Sequence, residues 1–139
     1  MSGDLWSYTT RRRVVAADID DNGHVNNATY LTWVAALTGE HADACGFGRE
    51  WSITQGGVWF VRRHDITYHR PALLDDELEL TVEVQSIGGA RGVRRTEIVR
   101  PSDRASIADC TTEWVWVRLP DGRPARVPQA IRDAYANGP

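Results

Sequence analysis

The chain contains no lysine: its 16 basic residues are all arginine, set against 19 acidic ones, for a net charge of -3 over 139 residues. Exclusive use of arginine reads as a high-GC coding bias, although the guanidinium fork also suits phosphate contacts. A balance so near neutral gives no general attraction to nucleic acid or to a membrane surface. Cysteine is scarce as well. Cys45 and Cys110 supply neither a disulfide framework nor paired metal-ligand spacing, and no Cys/His cluster accompanies them. Two small buried thiols are expected, with no metal and no cofactor. No stretch approaches the ~18 apolar residues of a membrane span. The opening Met-Ser-Gly-Asp-Leu-Trp lacks the apolar core of a signal peptide, so the expected location is the cytoplasm. Repeats and low-complexity linkers are absent too, and one domain over residues 1–139 is expected.

What the chain does have is a dense polar cluster. Asp18, Asp20, Asp21, Asn22, His24, Asn26 and Asn27 crowd around a single Gly23. A buried core rarely tolerates so many polar groups, because each needs its own hydrogen-bond partner. Loops held by a rigid scaffold are where catalytic groups concentrate.

From Asn27 the pattern turns helical, with Tyr30, Leu31, Val34, Leu37 and Thr38 recurring at three and four residues. Asn26 or Asn27 is the expected cap, and Gly46 and Gly48 end the helix near Ala44 or Cys45. Before it, residues 8–17 read as a strand; after it, 47–57 read as irregular. Four strand-like runs follow, at about 58–69, 77–87, 92–99 and 106–119, separated by Gly- and Pro-rich turns. Alternation is clear from Glu77 to Val84, and a short terminal helix is expected over 128–136 behind Pro128. One long helix must bury its apolar stripe against a sheet built mostly of later antiparallel strands. The pattern therefore gives an α+β fold.

Three segments carry a resemblance. Asp18-x-Asp20-x-x-Gly23-x-Val25 runs into the helix bearing Tyr30. Tyr68-His69-Arg70-Pro71-Ala72-Leu73 restarts at Asp76-Glu77-Leu78. Trp114-Val115-Trp116-Val117 precedes Gly122-Arg123-Pro124 and Val127-Pro128. Together they resemble the hot-dog-fold thioesterases, in the branch of 4-hydroxybenzoyl-CoA thioesterase and the small acyl-CoA thioesterases. Asp20-x-Asn22-x-His24-Val25-Asn26-Asn27-x-x-Tyr30-x-x-Trp33 is similar to the active segment of plant-type acyl-carrier-protein thioesterases. That resemblance implies a five-stranded, mostly antiparallel sheet wrapped around one central helix. It implies hydrolysis of an acyl thioester carried by CoA or by acyl-carrier protein, in a homodimer or homotetramer with sites at the subunit interface. It makes Asp20, Asn22 and His24 the catalytic candidates. The resemblance departs at Ala35 and Ala36, where both groups commonly carry an acid; Glu40 lies a turn further on.

The chemistry suits these residues. Hydrolysis needs a nucleophile or base and a clamp for the developing oxyanion. The first N–H groups of a helix lack internal acceptors and carry the positive end of its dipole, so the Asn27 N–H is the expected clamp. Asp20 either attacks the carbonyl or deprotonates a water, while Asn22 and His24 orient the water or the carboxylate. Tyr30 and Trp33 are candidate acyl contacts, and Arg91, in the turn around 90–95, is the candidate for CoA phosphates. Plainer roles stand beside these: turn formers for Asp20 and Asn22, packing for His24, Tyr30 and Trp33, a solvated charge for Arg91. His69, next to the Pro break, is a lesser candidate. The competing function is a non-catalytic acyl-thioester-binding module.

Overall fold

The computed structural model describes residues 4–139. The sheet is built from β1 (Ser7–Arg13), β2 (Gly57–Tyr68), β3 (Glu77–Gly88), β4 (Arg91–Arg100) and β5 (Ala105–Arg118), in the order β1-β3-β4-β5-β2. Every neighbouring pair is antiparallel. The long helix α1 (Asn27–Ala44) lies on one face, with a short α2 (Arg49–Thr54) after it and α3 (Gln129–Ala134) near the C-terminus. This is the expected hot-dog arrangement.

Alternation dictates which face meets the helix. On β3, Leu78, Leu80, Val82 and Val84 are buried, while Glu77 just before them and Glu83 between the last two are exposed. The inward apolars join Ile98, Ile107 and Ala108 of the neighbouring strands and Tyr30, Trp33 and Leu37 of α1 in one core. Fully burying a side chain of this size is worth roughly 1.5–3 kcal/mol. A second cluster of Trp116, Val127 and Ile131, with Trp51, Trp59 and Tyr135 against it, packs α2 and α3 at one end. Trp116 passes so close to Gly57 that a Cβ there would lie 2.5 Å from its ring.

The elements depart from expectation in four places. Strand β1 ends at Arg13, not Ala17, because its partner runs out: Arg13 pairs with Glu77, the first residue of β3. The next N–H, from Val14, donates to Asp76 O, and residues 16–18 form a 3-10 turn. The stretch 47–57 is not irregular throughout but holds α2, which at 6 residues is too short to show a periodicity. Cys110 is buried as expected, yet Cys45 is only partly so. The last helix is shorter than 128–136, with Pro128 as its cap. In β2, the register slips between Val61 and Arg63; the extra residue keeps both Arg62 and Arg63 outward and returns His64 to the inner face, against Thr112.

Candidate active site

The polar cluster is a small hairpin. Ile19 and Val25 form an isolated antiparallel bridge, closed by Asp20 N–H to His24 O at 3.0 Å and Gly23 N–H to Asp20 O at 3.0 Å. Gly23 has φ of 84°, a left-handed conformation that glycine adopts without penalty, which explains its place at the end of a three-residue hairpin loop. The hairpin is tied down from three sides. Asn26 N–H donates to Asp18 O (2.9 Å) and Val25 N–H to Ala72 O (2.9 Å). The Tyr68 hydroxyl at the end of β2 donates to Asn27 O at 2.8 Å. The loop under Val25 is itself braced by Arg100, which bonds Asp76 and Asp103 at 2.9 Å each. That guanidinium holds the Asp103 carboxyl down to about 2.

The reactive possibilities follow from what stays open. Asp20 Oδ1 accepts the Asn22 N–H at 2.9 Å, an Asx turn that orients the carboxylate and leaves Oδ2 without a partner among the described residues. At the helix start, Asn26 Oδ1 accepts the Ala28 N–H at 2.8 Å and Asn26 O accepts the Thr29 N–H at 2.9 Å. The Asn27 N–H has no acceptor among the described residues, and the helix itself provides none at its first position. One hairpin thus presents an unpaired carboxylate oxygen and an unpaired backbone donor at the positive end of an 18-residue helix. Among the described residues, the His24 ring makes only a long 3.4 Å contact to its neighbour's carbonyl.

The remaining sequence candidates fall elsewhere. Tyr30 and Trp33 are 2% and 3% exposed in the core directly below Asn27, edge-on to each other, with Arg12 over the Trp33 ring. Arg91 is exposed and pairs with Glu113 at 2.8 Å; with Arg62 it holds that carboxyl below its ordinary range. His69 lies on the other face of the sheet, bonded to Asp109 at 2.6 Å. Glu40 is exposed, and Ala35 lines a cavity farther along the helix. No group of three or more metal-ligating side chains gathers among the described residues.

The family model for the thioesterase-like superfamily matches residues 14–135. The chain belongs to that superfamily. It is 29% identical over 113 residues to the long-chain acyl-CoA thioesterase FadM of Escherichia coli K12, covering 79% of this chain and 83% of that one. Among solved structures, the probable thioesterase YbaW of Escherichia coli superposes with a TM-score of 0.80 at 25% identity, covering 90% and 93% of the two chains. Slr0204 of Synechocystis, a 1,4-dihydroxy-2-naphthoyl-CoA thioesterase, shares the fold at a TM-score of 0.84 and 21% identity, with 94% and 96% covered.

This thioesterase-like domain also holds a feature that sequence reasoning missed. Between the second half of α1, α2 and the inner face of β2, β4 and β5 lies a half-enclosed cavity of about 150 Å³. Arg94 of β4 lines it, standing in the inward row of Gly92, Thr96 and Ile98, all three buried. A charge in the buried phase of a strand was the available signal; it lay inside the arginine-rich stretch 90–95, weighed only for CoA phosphates or as solvated charge.

Proposed function

We propose that the protein hydrolyses acyl thioesters of coenzyme A, with acyl-carrier protein as an alternative carrier. One observation carries the reading: the hairpin that feeds α1 leaves both Asp20 Oδ2 and the Asn27 N–H open, a nucleophile or base on the same short segment as an oxyanion donor. Two routes fit. In the first, Oδ2 attacks the carbonyl carbon, the C–S bond breaks, and thiolate leaves from a mixed anhydride that water then cleaves to regenerate Asp20. In the second, Asp20 takes a proton from water, hydroxide adds to the carbonyl, and the proton passes to the departing thiolate. In either route negative charge grows on the carbonyl oxygen, which the Asn27 N–H stabilises more strongly in the transition state than in the ground state. Asn22 and His24 border the carboxylate and orient the water, and the buried Tyr30 and Trp33 hold the helix start from below. Names of the relatives support the reaction class.

Assembly is part of the same reading. Strand β2 is a sheet edge of 12 residues, and an edge of that length is a template for pairing. Phe60 on it is 63% exposed. Arg91 aligns with Val115 and so with Phe60, whereas Tyr68, which touches Asn27, lies eight residues along, roughly 26 Å away. Antiparallel pairing of two β2 strands about a two-fold axis brings the Phe60 and Arg91 end of one copy to the Tyr68 and Asn27 end of the other. Arg91 then reaches CoA phosphates at the partner's site, exchanging Glu113 for them.

The direct test is thiol release from a panel of aliphatic and aromatic acyl-CoAs and acyl-carrier proteins. Turnover is expected with at least one acyl-CoA. Binding without release across the whole panel would instead assign a non-catalytic thioester-binding module.

A further inference from the structure

The cavity beside α1 has an unusual polar inventory. Thr38 Oγ1 and Trp114 Nε1 are buried without a hydrogen-bond partner among the described residues, and both residues line this space. Thr38 is 8% exposed. Such orphans are rare in folded proteins, since each costs about 1–3 kcal/mol. The lining contains two arginines, Arg49 and Arg94, and no carboxylate.

Arg94 is the more telling of the pair. No acid lies within ion-pair distance of it among the described residues. Its Nη1 donates to His41 Nδ1 at 2.7 Å, and His41 Nε2 in turn donates to Asp4 O at 2.6 Å. That chain fixes His41 as the neutral tautomer, in keeping with the burial that lowers its pKa. The guanidinium, which stays protonated in proteins, is therefore held in a poorly solvated region where this cavity adjoins a smaller space lined by His41, Cys45 and Tyr135, with a neutral hydrogen-bond partner. Buried cations of this kind are costly unless an anion offsets them.

We propose, resting on the thioesterase reading, that this cavity receives the far end of the acyl group and that the preferred substrates carry a carboxylate there. The Arg94 guanidinium, the Trp114 indole N–H and the Thr38 hydroxyl are all donors, and a carboxylate accepts several hydrogen bonds at once. A methyl end leaves the Thr38 and Trp114 groups unsatisfied and Arg94 without an anion, and a hydroxyl offers no charge to offset Arg94. The apolar Trp59, Ile87 and Phe47 on the same walls pack the methylenes. A volume near 150 Å³ holds something about the size of benzene, enough for a short aliphatic end with its carboxylate. The substrate class is thus the mono-thioester of an aliphatic dicarboxylic acid.

The test uses unreactive thioether analogues of CoA esters, with a methylene in place of the carbonyl, in pairs of matched length ending in methyl or carboxylate. The pairs are butyryl and succinyl, hexanoyl and adipyl, octanoyl and suberyl, decanoyl and sebacyl. Binding is followed by tryptophan fluorescence. For at least one length the carboxylate-ended analogue should bind tenfold or more tightly, a difference that Arg94→Met abolishes and Trp114→Phe narrows. If Arg94→Met does not fold, Trp114→Phe and Thr38→Val decide, and both must narrow the gap. Equal or reversed preference at every length overturns the inference, as does a preference that survives Arg94→Met or tighter binding of a hydroxyphenyl end. Because these analogues cannot turn over, absent discrimination is a separate result from absent thiol release with true esters.

Discussion

Replacing Asp20 by Asn is the sharpest perturbation of the proposed site, because the structure allows the charge to be removed with the turn retained. The carboxamide oxygen can still accept the Asn22 N–H that Oδ1 accepts at 2.9 Å. The backbone bonds of Asp20 to His24 and Gly23 do not involve the side chain at all. Melting temperature should therefore stay within about 2 °C, since a retained turn loses at most a few tenths of a kcal/mol. The open Oδ2 becomes an amide nitrogen that neither attacks a thioester nor takes a proton from water. Loss of a positioned base typically removes 10²–10⁴ in rate, about 2.7–5.4 kcal/mol in the barrier at 1.36 kcal/mol per decade; loss of a nucleophile should be at least as severe. The assay is thiol release under kcat/KM conditions, with Asp21→Asn as the control, since Asp21 is exposed and outside the proposed chemistry. His24→Ala run alongside asks whether the imidazole shares the work; such losses need not add within one site. An Asp20→Asn protein that melts normally and keeps more than a tenth of the activity would refute the assignment.

Gly57→Ala should destabilise the fold by about 1–3 kcal/mol, or roughly 3–10 °C in melting temperature, because the new Cβ meets Trp116 at 2.5 Å; an unchanged melting temperature would contradict the packing. Burial lowers the pKa of His41 and His64 below 6.5, so the unfolded chain takes up protons on these groups before the folded one does. Stability should thus be level above about pH 6.5 and fall as pH drops below it, and denaturant titrations of wild type and His64→Gln should show a shallower decline in the variant. Mixed oligomers of Asp20→Asn and Arg94→Met chains should recover one site selective for carboxylate-ended esters if Asp20 and the cavity come from different copies. Recovery of turnover without that selectivity would place both in the same chain.

Much of this architecture was readable in advance where one physical rule dominated. Alternation from Glu77 to Val84 named the inward face of β3 because each inward residue is fully enclosed and each acid is not. The spacing of Tyr30, Leu31, Val34, Leu37 and Thr38 did the same for α1, where all but the half-buried Leu31 are enclosed. The hairpin was legible as a turn from Gly23 and its polar neighbours, and the open Asn27 N–H from the general chemistry of helix starts. What could not be read depended on partners far apart in sequence. The end of β1 is set by where β3 begins, a fact about Glu77 rather than about Val14. The link from Tyr68 to Asn27 spans 41 residues. Arg94 looked like one more arginine in a turn; the length of β4 and its inward phase, which carries Gly92, Thr96 and Ile98, put its side chain under α1.

That placement bears on how reactivity and selectivity coexist in so small a domain. Thr38 lies eleven residues beyond Asn27, about 16 Å up the helix axis, so the unpaired cation of the cavity and the unpaired carboxylate of the hairpin sit at opposite ends of α1. Side by side they would find each other: two unit charges 4 Å apart at an effective dielectric near 20 attract by about 4 kcal/mol. The resulting ion pair would lower the basicity of Asp20 and fill the cavity's donors with a protein oxygen. On the proposed reading, helix α1 is a spacer that keeps the two groups apart until a ligand arrives. The spacing has a consequence for assembly, since a substrate must then touch both ends at once. In one chain it would have to run along the helix past Tyr30, Trp33 and Leu37, all buried in the core. In the proposed dimer, two copies joined along β2 would remove that obstacle, because a two-fold axis there would bring the cavity end of one helix toward the hairpin end of the other. The long edge strand, the open carboxylate and the unpaired arginine are then explained by one shared geometry.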